Sequence, residues 1–405
     1  MITVRHNSLQ NMDIIFLIPV FTDVAVRLHD VASHAANAWM KGLIRELMAH
    51  GMKVRTVGHE PARVWPLGRY LLPGDSEHLQ SGFPQRLIKY VNLPLVRHFF
   101  LCIGYRSAVR KEIAKENDLI VCTYNLLPWQ VSAAKEVARK GSHWFSFVLD
   151  DEVVARHGWN RYVNQTRLAL CHIFVSQWAF DHAPVANKFL FEGGVDLWRA
   201  TEVEQLSLIP SVMYSGLLCD EAGRKELLAL IDSISTQQIE FWICGKGICP
   251  DLIRLAKRDR RIKLLGFLSE NELDLRYRSA WVLVNPRSAT HDASRMNFPS
   301  KLLKYLSYGK PIVTVWTPGI PTEYREVLHV VDPAVFGSSS TKLGQEMGVH
   351  VNAILAWDKV ERLACRQKLK GFVVPQKLWE TTVCRLLNFI EKNMRHECKA
   401  AGNGK

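Results

Sequence analysis

Residues 295–313 read RMNFPSKLLKYLSYGKPIV. They carry Arg295, Lys301, Lys304 and Lys310 and no acid. Leu302, Leu303 and Leu306 fall on one face of a helix. Gly309 and Pro311 end that helix, and Pro299 and Ser300 suit its start. The pattern predicts a helix over about 300–308 between two strands, WVLVNPR (281–287) and KPIVTVW (310–316). Strand, loop, helix and strand make the unit of a parallel sheet. The helix start then lies at the carboxyl side of the sheet, where free N–H groups attract anions. A lysine in the first turn opposes the helix dipole, and a bound anion would relieve it. A plain surface lysine beside a buried leucine pair is the other reading of Lys301.

The same alternation runs outward in both directions. DIIFLIPV (13–20), MKVRTVGH (52–59), DLIVCTY (118–124), HWFSFVLDD (143–151), HIFVSQ (172–177) and NKFLFEGGVD (187–196) read as strands. Helical patterns at 34–51 and 129–140 separate them. After a polar stretch at 197–209 the pattern restarts. SVMYSGLL (211–218), IEFWICGKG (239–247) and IKLLGFL (262–268) are strands, with helices at 223–234, 251–258 and 270–280 between them. KLWETTVCRLLNFIEKNM (377–394) reads as a final helix that crosses back toward the first domain. The expected fold is therefore α/β, with two Rossmann-like domains facing across a cleft. The domain boundaries are 1–196, 197–375 and, for the returning helix and tail, 376–405.

Composition agrees and narrows the function. A chain of 405 residues exceeds one ordinary core. It is 48% apolar and 22% charged, with a formal net charge of +13, which favours an anionic partner. Nucleic acid finds no recognisable motif. Nine cysteines without a C-x-x-C pair point to reduced thiols in the cytoplasm, not to disulfides or zinc. No apolar run is long enough to span a membrane, and the N-terminus lacks a signal-peptide pattern.

NFPSKLLKYLSYGKPIV followed by PGIPTEY resembles the donor-site segment of GT-B-fold glycosyltransferases, most closely those of bacterial capsular and exopolysaccharide biosynthesis. FVSQWAFD…NKFLFEGGVD (174–196) is similar to the segment that ends the N-terminal domain of that fold. SVMYSGLL, FWICGKG, IKLLGFLSENEL and WVLVNPR follow in the order of its donor domain. The resemblance implies transfer of a sugar from a UDP- or GDP-sugar to a hydroxyl of a glycan or lipid-linked oligosaccharide. It implies an acceptor-binding first domain and a donor-binding second domain. Phe298, Pro299, Ser300 and Lys301 would cradle the donor diphosphate. Gly245, Lys246, Gly266, Phe267 and Leu268 would hold the nucleoside. No cofactor and no essential metal are expected. The sequence departs from the pattern at Met296 and Lys304, where the retaining enzymes carry glutamates, and at Leu217, where a basic residue is usual. Lysine cannot accept from ribose hydroxyls. Arg224 and Lys225 are candidates to replace the missing cation, and Glu323 to replace the ribose acceptor. An inactive partner that binds a nucleotide sugar or supports an active transferase is the alternative function, and the anomeric outcome stays open.

Asp150 and Asp151 end the strand HWFSFVL, where carboxylates of a parallel sheet meet ligand. An inverting transferase needs a base there. Asp151 is the first choice and Asp150 the second, since neighbours point to opposite faces; helix capping is the other role for these acids. Ser33 reads as an N-cap. Finally, residues 78–111 contain no acid and interleave Arg86, Lys89, Arg97, Arg106, Arg110 and Lys111 with apolar residues. They suit an interfacial helix that docks on an anionic membrane face. The expected location is cytoplasmic, at the inner face of the plasma membrane.

Overall fold

A computed structural model describes residues 12–21, 33–80, 83–113, 119–149, 152–202, 204–245, 247 and 249–402. The chain forms two compact units. The first comprises Met1–Val175, Ala179–Gly194 and Trp379–Lys405, the second Ser176–Trp178 and Val195–Leu378.

The first unit is built on β1 (Asp13–Phe16), β2 (Lys53–Gly58), β3 (Leu71–Leu72), β4 (Asp75–Gln80), β5 (Phe83–Leu87), β6 (Tyr90–Val91), β7 (Leu119–Tyr124), β8 (His143–Val148), β9 (Cys171–Phe174) and β10 (Lys188–Leu190). Its main sheet has the order β10-β9-β8-β7-β1-β2-β5-β4. All neighbours are parallel except the edge pair β4 and β5. β1 and β7 are buried at every position, as their unbroken apolar runs require of strands covered on both faces. Ser33 caps the helix His34–Ala49 by accepting from the Ala36 N–H at 3.2 Å, as expected of it. The helix Trp379–Gly402 belongs to this unit. Trp379 is buried against Trp39 and Phe191, with ring centroids 6.1 Å from each. A Cβ on Gly42 would lie 2.4 Å from the Trp379 ring, so glycine there is what admits the indole.

The stretch 78–111 is not one helix. It runs through β4, β5 and β6 into a helix, Arg97–Ile113. Its missing acids arrive from outside it. Arg86 lies 3.5 Å from Glu112, Arg106 bonds Glu136 at 2.9 Å, and Arg110 bonds Glu136 as well. Arg97 sits 5.6 Å over the Tyr90 ring. The cations are largely matched within the unit, while Phe99 and Ile103 stay exposed on the helix.

The second unit consists of β11 (Ser211–Ser215), β12 (Glu240–Cys244), β13 (Ile262–Gly266), β14 (Val282–Asn285), β15 (Ile312–Val315) and β16 (His329–Val331). All are parallel, in the order β13-β12-β11-β14-β15-β16. β11 is wholly buried. The helices Arg224–Ser233 and Ser340–Leu355 close one face through Leu227, Leu230, Ile231, Leu343 and Met347. Chain order reverses between β11 and β14, and ligands of such sheets bind at that reversal, beyond the carboxyl ends of the strands.

The expected strand over 172–177 stops at Phe174. Gln177 and Trp178 donate instead to the carbonyls of Gly319 and Pro318, at 3.1 and 3.0 Å. That places Ser176–Trp178 in the second unit. Among the described residues, no helix is long and apolar enough to cross a membrane.

Candidate nucleotide-sugar site

The loops that follow β11, β12, β13 and β14 gather at the carboxyl edge of the second sheet. Gly216 follows β11, Gly245 follows β12 and Gly266 ends β13. The Gly216 N–H donates to the Cys244 carbonyl at 3.0 Å, and the Gly245 N–H to that of Gly266 at 2.9 Å. Gly216 has φ 148°, and a Cβ there would stand 2.7 Å from the Lys301 ammonium nitrogen and 3.2 Å from the Tyr214 hydroxyl. A side chain at 216 would fill the space in front of Lys301.

Lys301 begins the helix Lys301–Leu306. Its Nζ lies 4.4 Å from the centre of the Tyr214 ring, a cation–π contact. No carboxylate among the described residues pairs with it. Burial and, next, the Arg287 charge lower its pKa to about 7. Desolvation disfavours the ammonium, and a like charge adds to that. An anion brought to this place would reverse both effects.

The helix is only six residues long, and Ser300 does not cap it. Ser300 has α-helical dihedrals (φ −52°, ψ −26°) and no side-chain cap bond. The Leu302 N–H turns back to the Pro299 carbonyl at 2.9 Å, which continues the coil upstream. Phe298 is buried against Tyr324, centroids 5.4 Å apart, and Pro299 is buried beside it. Those two side chains anchor the loop, and Lys301 is the residue that brings charge to it.

Arg224 bonds Asp220 at 2.7 Å, and Lys225 lies 3.9 Å from the same carboxylate. Lys304 donates to Glu270 at 2.8 Å. Glu323 accepts from the buried Lys377 at 3.1 Å. Gly266 and Phe267 are exposed and Leu268 half-buried at the β13 edge. Lys246, Asp150 and Asp151 lie outside the described residues. Strand β8 delivers the chain as far as Leu149, whose N–H donates to the Asn125 side chain at 2.8 Å.

Beneath the edge a hydroxyl network fixes the floor. The Ser215 N–H donates to the Tyr305 hydroxyl at 3.0 Å, and Ser215 Oγ shares a hydrogen bond with the Tyr277 hydroxyl. Tyr308 donates to Asp274 at 2.8 Å. These tyrosines are fully buried and their phenols titrate upward because burial penalises the anion. They are therefore neutral donors and acceptors that hold β11 to the Lys301 helix.

Sequence reading missed Arg287, just beyond β14. Its Nη2 donates to Asn297 at 2.7 Å and to Glu221 at 3.1 Å, and its Nε to Ser294 at 3.3 Å. Its partner Glu221 lies 66 positions away, so no local pattern pointed to it. Among the described residues, no group of three or more His, Cys, Asp and Glu side chains is placed to hold a metal ion.

A parallel sheet of order 3-2-1-4-5-6 is the order of dinucleotide-binding folds, and here glycines and Lys301 stand at its reversal. Two Rossmann-like units in one chain are the architecture of GT-B glycosyltransferases. Residues 209–339, which span this sheet and site, match the family described as Glycosyl transferases group 1. The match covers most of the second unit and agrees with the enzyme class expected from the sequence. No curated protein sequence matches the chain. Solved structures match it at full length. A glycosyltransferase of Rickettsia africae is 12% identical, covers 95% of this chain and 99% of its own, and has a TM-score of 0.65. The α,α-trehalose 6-phosphate synthase of Burkholderia multivorans is 12% identical over 98% of each chain, with a TM-score of 0.62. HepE of Anabaena, solved with UDP-glucose, is 14% identical, covers 93% of this chain and 98% of its own, and has a TM-score of 0.62. At such identities the likeness is one of fold.

Proposed function

We propose that this protein transfers a sugar from a UDP- or GDP-sugar to a hydroxyl of a glycan or lipid-linked oligosaccharide in cell-surface polysaccharide synthesis. The observation that carries the reading is Lys301. It is a desolvated ammonium that no carboxylate among the described residues pairs with, set against Gly216 where the strand order reverses. The group 1 match over 209–339 and the UDP-glucose bound by HepE support it.

In this reading Lys301 neutralises charge on the departing nucleoside diphosphate as the bond to the anomeric carbon breaks. Protein cations serve the diphosphate, and no essential metal is required. The Gly245 and Gly266–Leu268 edge takes the nucleoside. Asp151, or Asp150, takes the proton from the acceptor hydroxyl if the configuration inverts. The first unit rests against an anionic membrane face near the lipid-linked acceptor. Exposed Phe99 and Ile103, with Lys89 exposed nearby, support such a contact.

A nucleotide-sugar-binding partner without turnover is the second reading. Lys304 favours it, because a cation bonded to Glu270 stands where retaining enzymes place an acceptor. One experiment separates the two. UDP, GDP and their sugars are titrated calorimetrically, and the donor that binds is incubated with a lipid-linked oligosaccharide. A product heavier by one sugar supports the transferase. Binding without product supports the partner, and no binding by any nucleotide removes both.

A further inference from the structure

The donor-site pattern of the resemblance asks for a basic residue at 217, and this chain has Leu217, whose side chain is exposed. Arg224 and Lys225 are both engaged with Asp220. The geometry points to another residue. We propose that Arg287 is the second cation of the diphosphate site, and that it supplies from the β14 loop the charge that other such sites take from the β11 loop. The inference rests on the nucleotide-sugar reading of this site.

Three observations carry it. First, Arg287 spans the reversal of the sheet. It leaves the end of β14, and its Nη2 bonds Glu221 in the loop after β11. The Ser288 N–H also reaches the Glu221 carbonyl, at 3.4 Å. The guanidinium therefore lies across the crevice between the two strands where chain order reverses, the place at which ligands of such sheets bind.

Second, it is held rigidly and incompletely used. Nε and Nη2 are fixed by Ser294, Asn297 and Glu221. Nη1 has no hydrogen-bond partner among the described residues. A guanidinium anchored on one side presents a pre-organised donor pair on the other, the geometry that suits phosphate oxygens. Ser294 and Asn297 belong to the segment that leads into the Lys301 helix, so the two cations are positioned by one stretch of chain.

Third, its charge is felt at Lys301, where it opposes protonation of the ammonium. The two cations lie within reach of each other's charge, and among the described residues the one carboxylate paired with either is Glu221, on Arg287. Such an arrangement is unfavourable alone and becomes favourable when a dianion lies between them.

The test compares UDP with uridine by calorimetry at pH 6.5, using the native chain, Lys301→Ala and Arg287→Gln. Native protein that binds neither UDP nor GDP overturns the nucleotide-sugar reading itself. Where native protein binds UDP and Lys301→Ala weakens it, the Arg287 variant decides the inference alone. Arg287→Gln should weaken UDP about 10- to 150-fold, the effect of one charge-assisted hydrogen bond, and leave uridine within twofold. UDP affinity within twofold of native overturns the proposal. So does an equal loss for UDP and uridine, which marks a purely structural arginine. Should Arg287→Gln fail to fold, Arg287→Lys replaces it. That variant keeps the charge and gives up the fork, so it should weaken UDP while sparing uridine, and equal or absent losses again overturn the proposal.

Discussion

The second unit buries Lys310 and Lys377 and half-buries Lys301, and it treats them in two ways. Around Lys310 and Lys377 each ammonium meets a carboxylate. Lys310 donates to Glu204 at 2.8 Å, and Lys377 to Glu323 at 3.1 Å. Arg366 joins the first pair at 3.3 Å. Around Lys301 the neighbours are the Tyr214 ring and the Arg287 charge. Burial lowers the pKa of both Lys301 and Lys310, but at Lys310 the Glu204 carboxylate works against that. One region is electrostatically closed and serves the fold. Among the described residues the other has no carboxylate on its lysine, and a ligand is the natural source of an anion there.

The sharpest way to break this comparison is to remove the carboxylate from the closed region. Glu204→Ala should cost about 3–5 kcal/mol in urea denaturation, because it strands a buried cation. Lys301→Met should cost no stability, since it removes a desolvated charge without orphaning a partner. A Lys301→Met protein as unstable as Glu204→Ala would mean that the two regions do the same job.

The next largest effect is on binding. Lys301→Ala should weaken UDP about 10- to 150-fold through loss of one charge-assisted contact. The pH dependence follows from the lowered pKa. Above about pH 7 the free ammonium is mostly neutral. A diphosphate favours the charged form, so binding takes up a proton. Affinity should then fall as pH rises from 7 toward the pKa of the complex, by up to about tenfold per unit. Arg287 lowers the Lys301 pKa and Cys219 raises it. Calorimetry in buffers of different ionisation enthalpy at pH 8 reads the uptake. Zero proton uptake would detach Lys301 from the phosphates.

Smaller changes sharpen the same contrast. The Lys304–Glu270 pair is largely exposed on the Glu side, so Lys304→Ala should alter stability by no more than about 1 kcal/mol. Lys304→Glu should leave UDP binding in place. If it instead creates binding that native protein lacks, the transferase reading falls. Replacing Phe99 and Ile103 together by serine should reduce flotation with anionic vesicles and leave UDP affinity unchanged. Undiminished flotation would remove this helix from any membrane contact.

The sheet was legible because parallel strands buried on both faces announce themselves as apolar runs, and KPIVTVW and WVLVNPR fall where β15 and β14 stand. Lys301 was singled out from its local pattern, the Phe-Pro-Ser turn before it and the apolar helix after it, although Tyr214, Gly216 and Arg287, which act on it, lie far away in sequence. What escaped depends on distant partners. Arg287 acquires its meaning from Glu221, and the stretch 78–111 loses its excess charge to Glu112 and Glu136. Ser300 carries a capping residue's identity but α-helical dihedrals, because the turn begins upstream at Pro299. Identity alone does not reveal that.

Trp379 has a consequence for the order in which the molecule is made. It fills the space against Trp39 and Gly42 in the first unit, yet it follows the 184 residues Val195–Leu378 of the second. At ribosomal speeds of ~5–20 residues per second, those residues take roughly 10–40 s to emerge. Through that interval the nascent first unit waits with an indole-sized gap beside Trp39. Domain-by-domain folding during synthesis is therefore incomplete here, and the finished second unit precedes the closing of the first.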